Sequence, residues 1–317
     1  MIHQNCTKET PFNMQRLFDA YIVVDWSAAA KPVVGANSVW IGIRARDARL
    51  KFHFTSVNPK TRLEARSFIK DIAQKLISRG DKVLIGFDFA LGYPAGTADA
   101  IGLVENGTLP WQAMHNHLSA KVKERADNSN ARFALAAGMN YAMSKGPHPF
   151  WGTPKKDQVS TLSMKKGDFG EKSSLPEHRT AEHWIRENFK ANPKSVWQLM
   201  GAGAVGSQAL LGIPTVTYLR ETLPAARIWP FETGFKVLTP EDLEDVSCVF
   251  AEVYPSTVSI TQSPGEQRDQ AQVRTLSEHL QTLDSAGQLA SAFGPPNTLS
   301  SRKIDAITCE EGWILAK

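Results

Sequence analysis

Four acidic residues stand where a purely solvent-facing role explains them poorly. Asp25 closes the apolar run Tyr21-Ile22-Val23-Val24, and Asp88 closes Lys82-Val83-Leu84-Ile85-Gly86-Phe87. Glu252 interrupts Val249-Phe250-Ala251-Glu252-Val253-Tyr254, and Asp305 lies inside the amphipathic stretch from Lys303 to Trp313. A carboxylate at the end of a buried strand costs free energy unless it is paired or coordinates a metal. The expectation is that three strand-borne acids and one helix-borne acid converge on a single site for Mg²⁺ or Mn²⁺. Such hard cations take carboxylate oxygens and keep waters for a phosphate substrate. Two ions about 4 Å apart activate a water and stabilise the leaving oxygen in phosphodiester cleavage. Asp25 and Asp88 have an alternative as turn or helix-cap residues, because Trp26-Ser27-Ala28 and Ala90-Leu91-Gly92-Tyr93-Pro94 follow closely. Glu252 fits that alternative less well, since glutamate caps poorly and Val253 and Tyr254 extend the strand pattern.

Gly201-Ala202-Gly203-Ala204-Val205-Gly206 spells GxGxxG, a weak signal by itself. A strand over 195–200 and a helix opening at Ser207 would suit a dinucleotide loop. Gly212-Ile213-Pro214 cuts that helix, and no strand-end acid follows about twenty residues on, as a dinucleotide site requires. Gly201, Gly203 and Gly206 read better as close-packing glycines or as a backbone cradle for substrate. Arg179, with His178 beside it, sits at a loop-to-helix junction and suits phosphate or carboxylate binding, or simply opens a helix. The pattern His115-Asn116-His117 carries no information. Trp229-Pro230-Phe231 either stacks a base or belongs to the core. Lys155, Lys156, Lys165, Lys166 and Lys172 crowd a loop over 144–178, where they contact phosphates or form a solvated face.

These residues need elements to hold them. Residues 20–26, 38–43 and 50–55 read as strands, the last two joined by a hairpin at 46–49. Leu63, Phe68, Ile69, Ile72, Leu76 and Ile77 recur at helical spacing over 61–79, with Gly80 as a stop. A fourth strand covers 82–88. Strand, strand, strand, helix, strand is not the alternation of a dinucleotide-binding fold. Helices are expected over 109–126, 131–143, 180–189, 265–285 and 301–316, and a strand over 249–254. Residues 1–18 read as a loose lead-in. The 317 residues are 42% hydrophobic and carry a net charge of +4, so the chain has the apolar content to bury a core. No apolar run is long enough to span a bilayer and the N-terminus lacks a signal core, so the default expectation is cytoplasmic with no membrane partner. Cys6, Cys248 and Cys309 form no zinc or CxxC pattern.

Asp25, the block Gly86-Phe87-Asp88-Phe89-Ala90-Leu91-Gly92-Tyr93-Pro94, Arg179 with Glu182, Ala251-Glu252-Val253-Tyr254-Pro255-Ser256 and Ile304-Asp305-Ala306 together resemble the DUF429 family. The chain is also similar to an alphaproteobacterial group with Val24-Asp25-Trp26-Ser27-Ala28 and Glu310-Glu311-Gly312-Trp313-Ile314-Leu315. The resemblance covers most of the chain from about residue 20. It implies an α/β fold with an RNase H-like mixed sheet, as one domain over 19–317 with a large, mostly helical insertion at about 90–245. It implies a metal-dependent nuclease or phosphodiesterase in which Asp25, Asp88 and Asp305 hold the ions and Glu252 adds a ligand. Glu310 or Glu311 stands close enough in sequence to replace Asp305. Nucleic acid or a small phosphate ester is the expected partner. The alternatives are a nucleotide-dependent phosphotransferase of the actin and sugar-kinase type, with the glycine loop on phosphate, or a non-catalytic binding protein on the same fold.

Overall fold

The computed structural model describes residues 16–105, 107–169 and 174–317. Six strands form one mixed sheet: β1 Ala20–Asp25, β2 Trp40–Arg46, β3 Phe52–Val57, β4 Val83–Phe87, β5 Ala226–Ile228 and β6 Cys248–Glu252. Their order is β3-β2-β1-β4-β6-β5. β2 runs antiparallel to β1 and β3, and the remaining neighbours are parallel. β1 and β4 are wholly buried, as continuous apolar runs at the centre of a covered sheet must be.

Helix α1 (Arg62–Ser78) links β3 to β4. Thr61 caps it by accepting a hydrogen bond from the Glu64 amide, and Ala65, Ile69, Ala73 and Leu76 form its buried stripe. The insertion carries α2 (Thr97–Ala100), α3 (Pro110–Lys121), α4 (Arg132–Ser144), α5 (Thr180–Asn188) and α6 (Gly206–Thr222). α7 (Arg268–Ser285), α8 (Leu289–Ala292) and α9 (Ser301–Ala306) follow β6.

Side chains alternate across each strand, so the sheet has two apolar faces. Ile22, Val24, Ile85 and Phe87 pack with α1, α3, α4 and α6. Tyr21, Val23, Leu84 and Val249 pack with α5 and α7. Gly42 makes room for α7: a Cβ there would stand 2.9 Å from the Val273 Cβ.

Several expectations are corrected. Leu17 and Phe18 are buried rather than loose, because both backbone amides donate to Asp284 of α7. Residues 195–200 form no strand and meet Trp151 only through a bridge at Gln198. α6 runs unbroken past Gly212 and Pro214. The strand at β6 ends on Glu252 rather than continuing through Tyr254. The expected 301–316 helix is α for one stretch, widens into a π turn over Ile307–Glu311, and then becomes extended, with Ile314 bridging Glu252. Cys6 and Lys172 lie outside the described residues.

Candidate functional site

The Val24 and Phe87 positions face each other on the parallel strands β1 and β4. Asp25 and Asp88 come next on each strand, so they stand side by side at the carboxyl end of the sheet. Alternation puts both on the α7 face. The Asp88 amide donates to the Val24 carbonyl at 3.2 Å, and one Asp88 carboxylate oxygen accepts from the Trp26 amide at 2.8 Å. Among the described residues no donor meets the Asp25 carboxylate, although Asp25 is only 9% exposed. α7 brings a third acid. Asp269, in its first turn, accepts from the Asn37 amide at 3.0 Å.

Burial, with the fields of Asp88 and Asp269 added, holds the Asp25 carboxyl well above the usual carboxylate range; Arg268 opposes the shift. Burial likewise pushes Asp88 up to about 7, against the Trp26 hydrogen bond that lowers it. Two carboxylates in one desolvated place resist joint ionisation.

Comparison with protein-family models, with curated proteins and with solved structures finds no match to this chain.

Glu252 lines the same cleft as the pair, and its charge adds to the upward push on Asp88, but it is held differently. It is registered with Phe87, one position before Asp88, and therefore leaves the opposite face of the sheet. There Arg179 grips it at 2.8 and 2.6 Å, and the Leu91 amide donates to it at 3.2 Å. Burial raises the Glu252 carboxyl and the Arg179 fork opposes that rise. Arg179 is itself 1% exposed, and its remaining N–H groups go to Glu182 and the Glu311 carbonyl. A guanidinium with its fork fully engaged offers nothing to a substrate, so Arg179 is a structural tie.

Asp305 is exposed on α9 and does not line the cleft, because Ile304 and Ile307 take the inward side of that turn. Glu310 and Glu311 do not replace it. Glu310 accepts the Gly96 and Ala98 amides at 2.6 and 2.7 Å, and Glu311 accepts the Ala95 and Thr180 amides at 3.2 and 2.9 Å. Both carboxylates thus hold the starts of α2 and α5. Among the described residues no group of three or more His, Cys, Asp and Glu side chains is placed to hold a metal ion. Of the four acids, Asp25, Asp88 and Glu252 line one cleft and Asp305 does not; Glu252 is ion-paired with Arg179, which leaves Asp25 and Asp88, with Asp269 nearby, as the acids of the cleft without an ion pair among the described residues.

The pair opens on a cleft of about 670 Å³. Gly201, Gly203, Ala204 and Val205 form part of its wall. Gly201 and Gly203 have φ of 120° and 72°, a region open to glycine. Gly206 serves close packing at the start of α6 instead, since a Cβ there would lie 2.4 Å from the Val196 carbonyl oxygen. Lys155, Lys156, Lys165 and Lys166 do not line the cleft, and Lys166 pairs with Glu177 at 2.6 Å. The cleft also contains Asp269, Arg132, Lys194 and Arg268, which sequence reasoning missed. For Asp269 the only signal was an acid in a helix first turn, and helix dipoles favour acids there in any protein.

Proposed function

We propose that this chain is a divalent-cation-dependent hydrolase of phosphate esters, with phosphodiester cleavage as its reaction. The observation that carries the reading is the Asp25–Asp88 pair, a buried and a half-buried carboxylate side by side, of which Asp25 meets no donor among the described residues. The fold supports it. An antiparallel meander, a crossover helix and two further parallel strands make the β3-β2-β1-β4-β6 order expected of an RNase H-like core, in keeping with the DUF429 resemblance. β5 and the helices of 90–222 are additions to that core.

The donor set suits Mg²⁺ or Mn²⁺, which binds through one or two carboxylates and leaves its remaining positions to water and phosphate oxygens. When bound, such a cation polarises the phosphoryl group and lowers the pKa of water. Asp25 and Asp88 would hold it. Asp269, at the open edge of the pair, would orient water by accepting hydrogen bonds. To hold the cation, Asp88 would have to be ionised, because a carboxylate ligand binds without its proton.

The test is hydrolysis of a chromogenic phosphodiester and of a single-stranded oligonucleotide with Mg²⁺ or Mn²⁺, by wild type and Asp25→Asn. Loss of turnover with a preserved fold is the expected result; retained turnover overturns the assignment. The phosphotransferase reading has one observation in its favour, the glycine loop in the cleft wall. Thermal stabilisation by ATP together with transfer of its phosphate to an acceptor would select it.

A further inference from the structure

The cleft contains cations that the cation-site reading does not use. Arg132, the first residue of α4, is partly buried and lines the cleft. Its Nε donates to the Ser207 hydroxyl at 3.0 Å and its Nη1 to the Asn130 side-chain carbonyl at 3.0 Å. Ser207 in turn donates to the Leu199 carbonyl at 2.7 Å, which leaves its oxygen lone pairs for Arg132. The guanidinium lies over the Phe133 ring at 4.5 Å. One edge of the fork is therefore fixed, while Nη2 keeps free N–H groups.

The fully buried arginines are ion-paired, Arg62 with Glu124 and Arg179 with Glu182 and Glu252. Arg132 has no carboxylate within ion-pair distance among the described residues. Burial, with Arg62 nearby, lowers it to about 10, against the more distant charges of Asp157 and Glu124. An immobilised, partly desolvated cation without an anion in direct contact is costly to keep unless a ligand completes it.

Its surroundings are built to receive an anion. The Lys194 stem lies over Gly203, with its Cγ 3.6 Å from where a Cβ would be, and Lys194 forms no ion pair among the described residues. The 201–205 loop feeds directly into α6, and backbone N–H groups at a helix start favour negative charge. Trp26, in the same wall, has a buried indole N–H without an acceptor among the described residues. Asp25 lines the same cleft, nine-tenths buried and likewise without a donor among the described residues.

We propose that Arg132, with Lys194 and the backbone of the 201–205 loop, forms a subsite for a phosphoryl group of the substrate in the cleft that also holds the Asp25–Asp88 pair. This deepens the phosphate-ester reading and rests on it for the role of the cleft. A cleft of about 670 Å³ is the size of a small-molecule pocket, so the ligand class is a phosphate ester of about nucleotide size.

The experiment is calorimetric titration of the full chain with adenosine 5′-monophosphate and with inorganic phosphate, in metal-free buffer and with Mg²⁺. A parallel titration uses Mn²⁺ alone. Wild type should bind the monophosphate, and Arg132→Met should weaken it by about 10-fold or more, the scale of a charge-assisted fork. Arg132→Lys should fall between them, and both variants should keep wild-type Mn²⁺ affinity and melting temperature. Asp25→Asn should bind the anion in metal-free buffer at least as well as wild type while losing Mn²⁺. Equal monophosphate affinity in Arg132→Met and wild type overturns the subsite, as does an absence of anion binding by wild type that still takes Mn²⁺. Anion binding without any Mn²⁺ binding leaves the subsite standing and removes the cation-dependent hydrolase.

Discussion

Asp25 and Glu252 are almost equally hidden, at 9% and 4% exposure, and have opposite circumstances. Glu252 is gripped by a guanidinium; Asp25 stands beside other acids. The consequence for stability has a definite sign. Asp88 has a folded pKa of about 7 against an ordinary value of 3.8, so the folded state holds the proton that the unfolded chain releases. Stability therefore falls as pH rises from about 4 through about 7 and levels off above. Thermal melts across that range, without divalent cation, check it. Asp25→Asn removes a carboxyl whose charged form is disfavoured by burial and by Asp88 and Asp269, and should stabilise the metal-free protein at alkaline pH, seen as a higher Tm. Mn²⁺ affinity of wild type should rise with pH through about 7, with proton release. Asp305→Ala, by contrast, should change stability and turnover by no more than about 0.5 kcal/mol. The strand-end positions of Asp25 and Asp88 were legible because each ends an apolar run. The sequence does not show how β4 and β6 are registered, and that register alone sends Glu252 to the other face. The importance of Arg132 and Asp269 depends on what folds against them, and nothing local in the sequence marks it.

At the scale of elements, α6 shows tertiary packing overriding local signals. Gly212 and Pro214 read as a break, yet the helix continues. Gly212 sits against the Phe89 ring, where a Cβ would fall 2.2 Å from Cζ, so the glycine is needed for contact between helix and strand end. Gly212→Ala should destabilise by about 1–3 kcal/mol through overpacking, although alanine is the better helix former. A denaturant midpoint shifted downward checks this; an upward shift would mean that Phe89 yields. The meander and α1 were legible because their periods are clean and Thr61 caps the helix. β5 was not, since three residues carry no period and only pairing with β6 makes them a strand.

For the whole molecule, Arg179 is a node. It joins α5 through Glu182, β6 through Glu252 and the π turn through the Glu311 carbonyl. Arg179→Met strands two buried carboxylates and should cost about 3–5 kcal/mol, measured by denaturant unfolding. Arg179→Lys should recover only part, because an ammonium cannot make the fork. No helix among the described residues is long and apolar enough to cross a membrane.

The cleft is lined by different stretches of chain. Asp25 and Asp88 belong to the compact 20–88 unit, whose pairings are nearly local, whereas Arg132, Lys194 and the glycine loop belong to the excursion before β6 returns to β4. Loop closure makes such long-range pairing late and slow. The Asp25–Asp88 pair can thus take shape early in folding, and Arg132, Lys194 and the glycine loop arrive with the docking of the insertion. In pulsed hydrogen exchange, amides of β1 and β4 should gain protection before those of α4 and α6. Local opening of the insertion would then part these two groups of residues without dissolving the sheet, so access to the cleft and its assembly would be governed by one docking equilibrium.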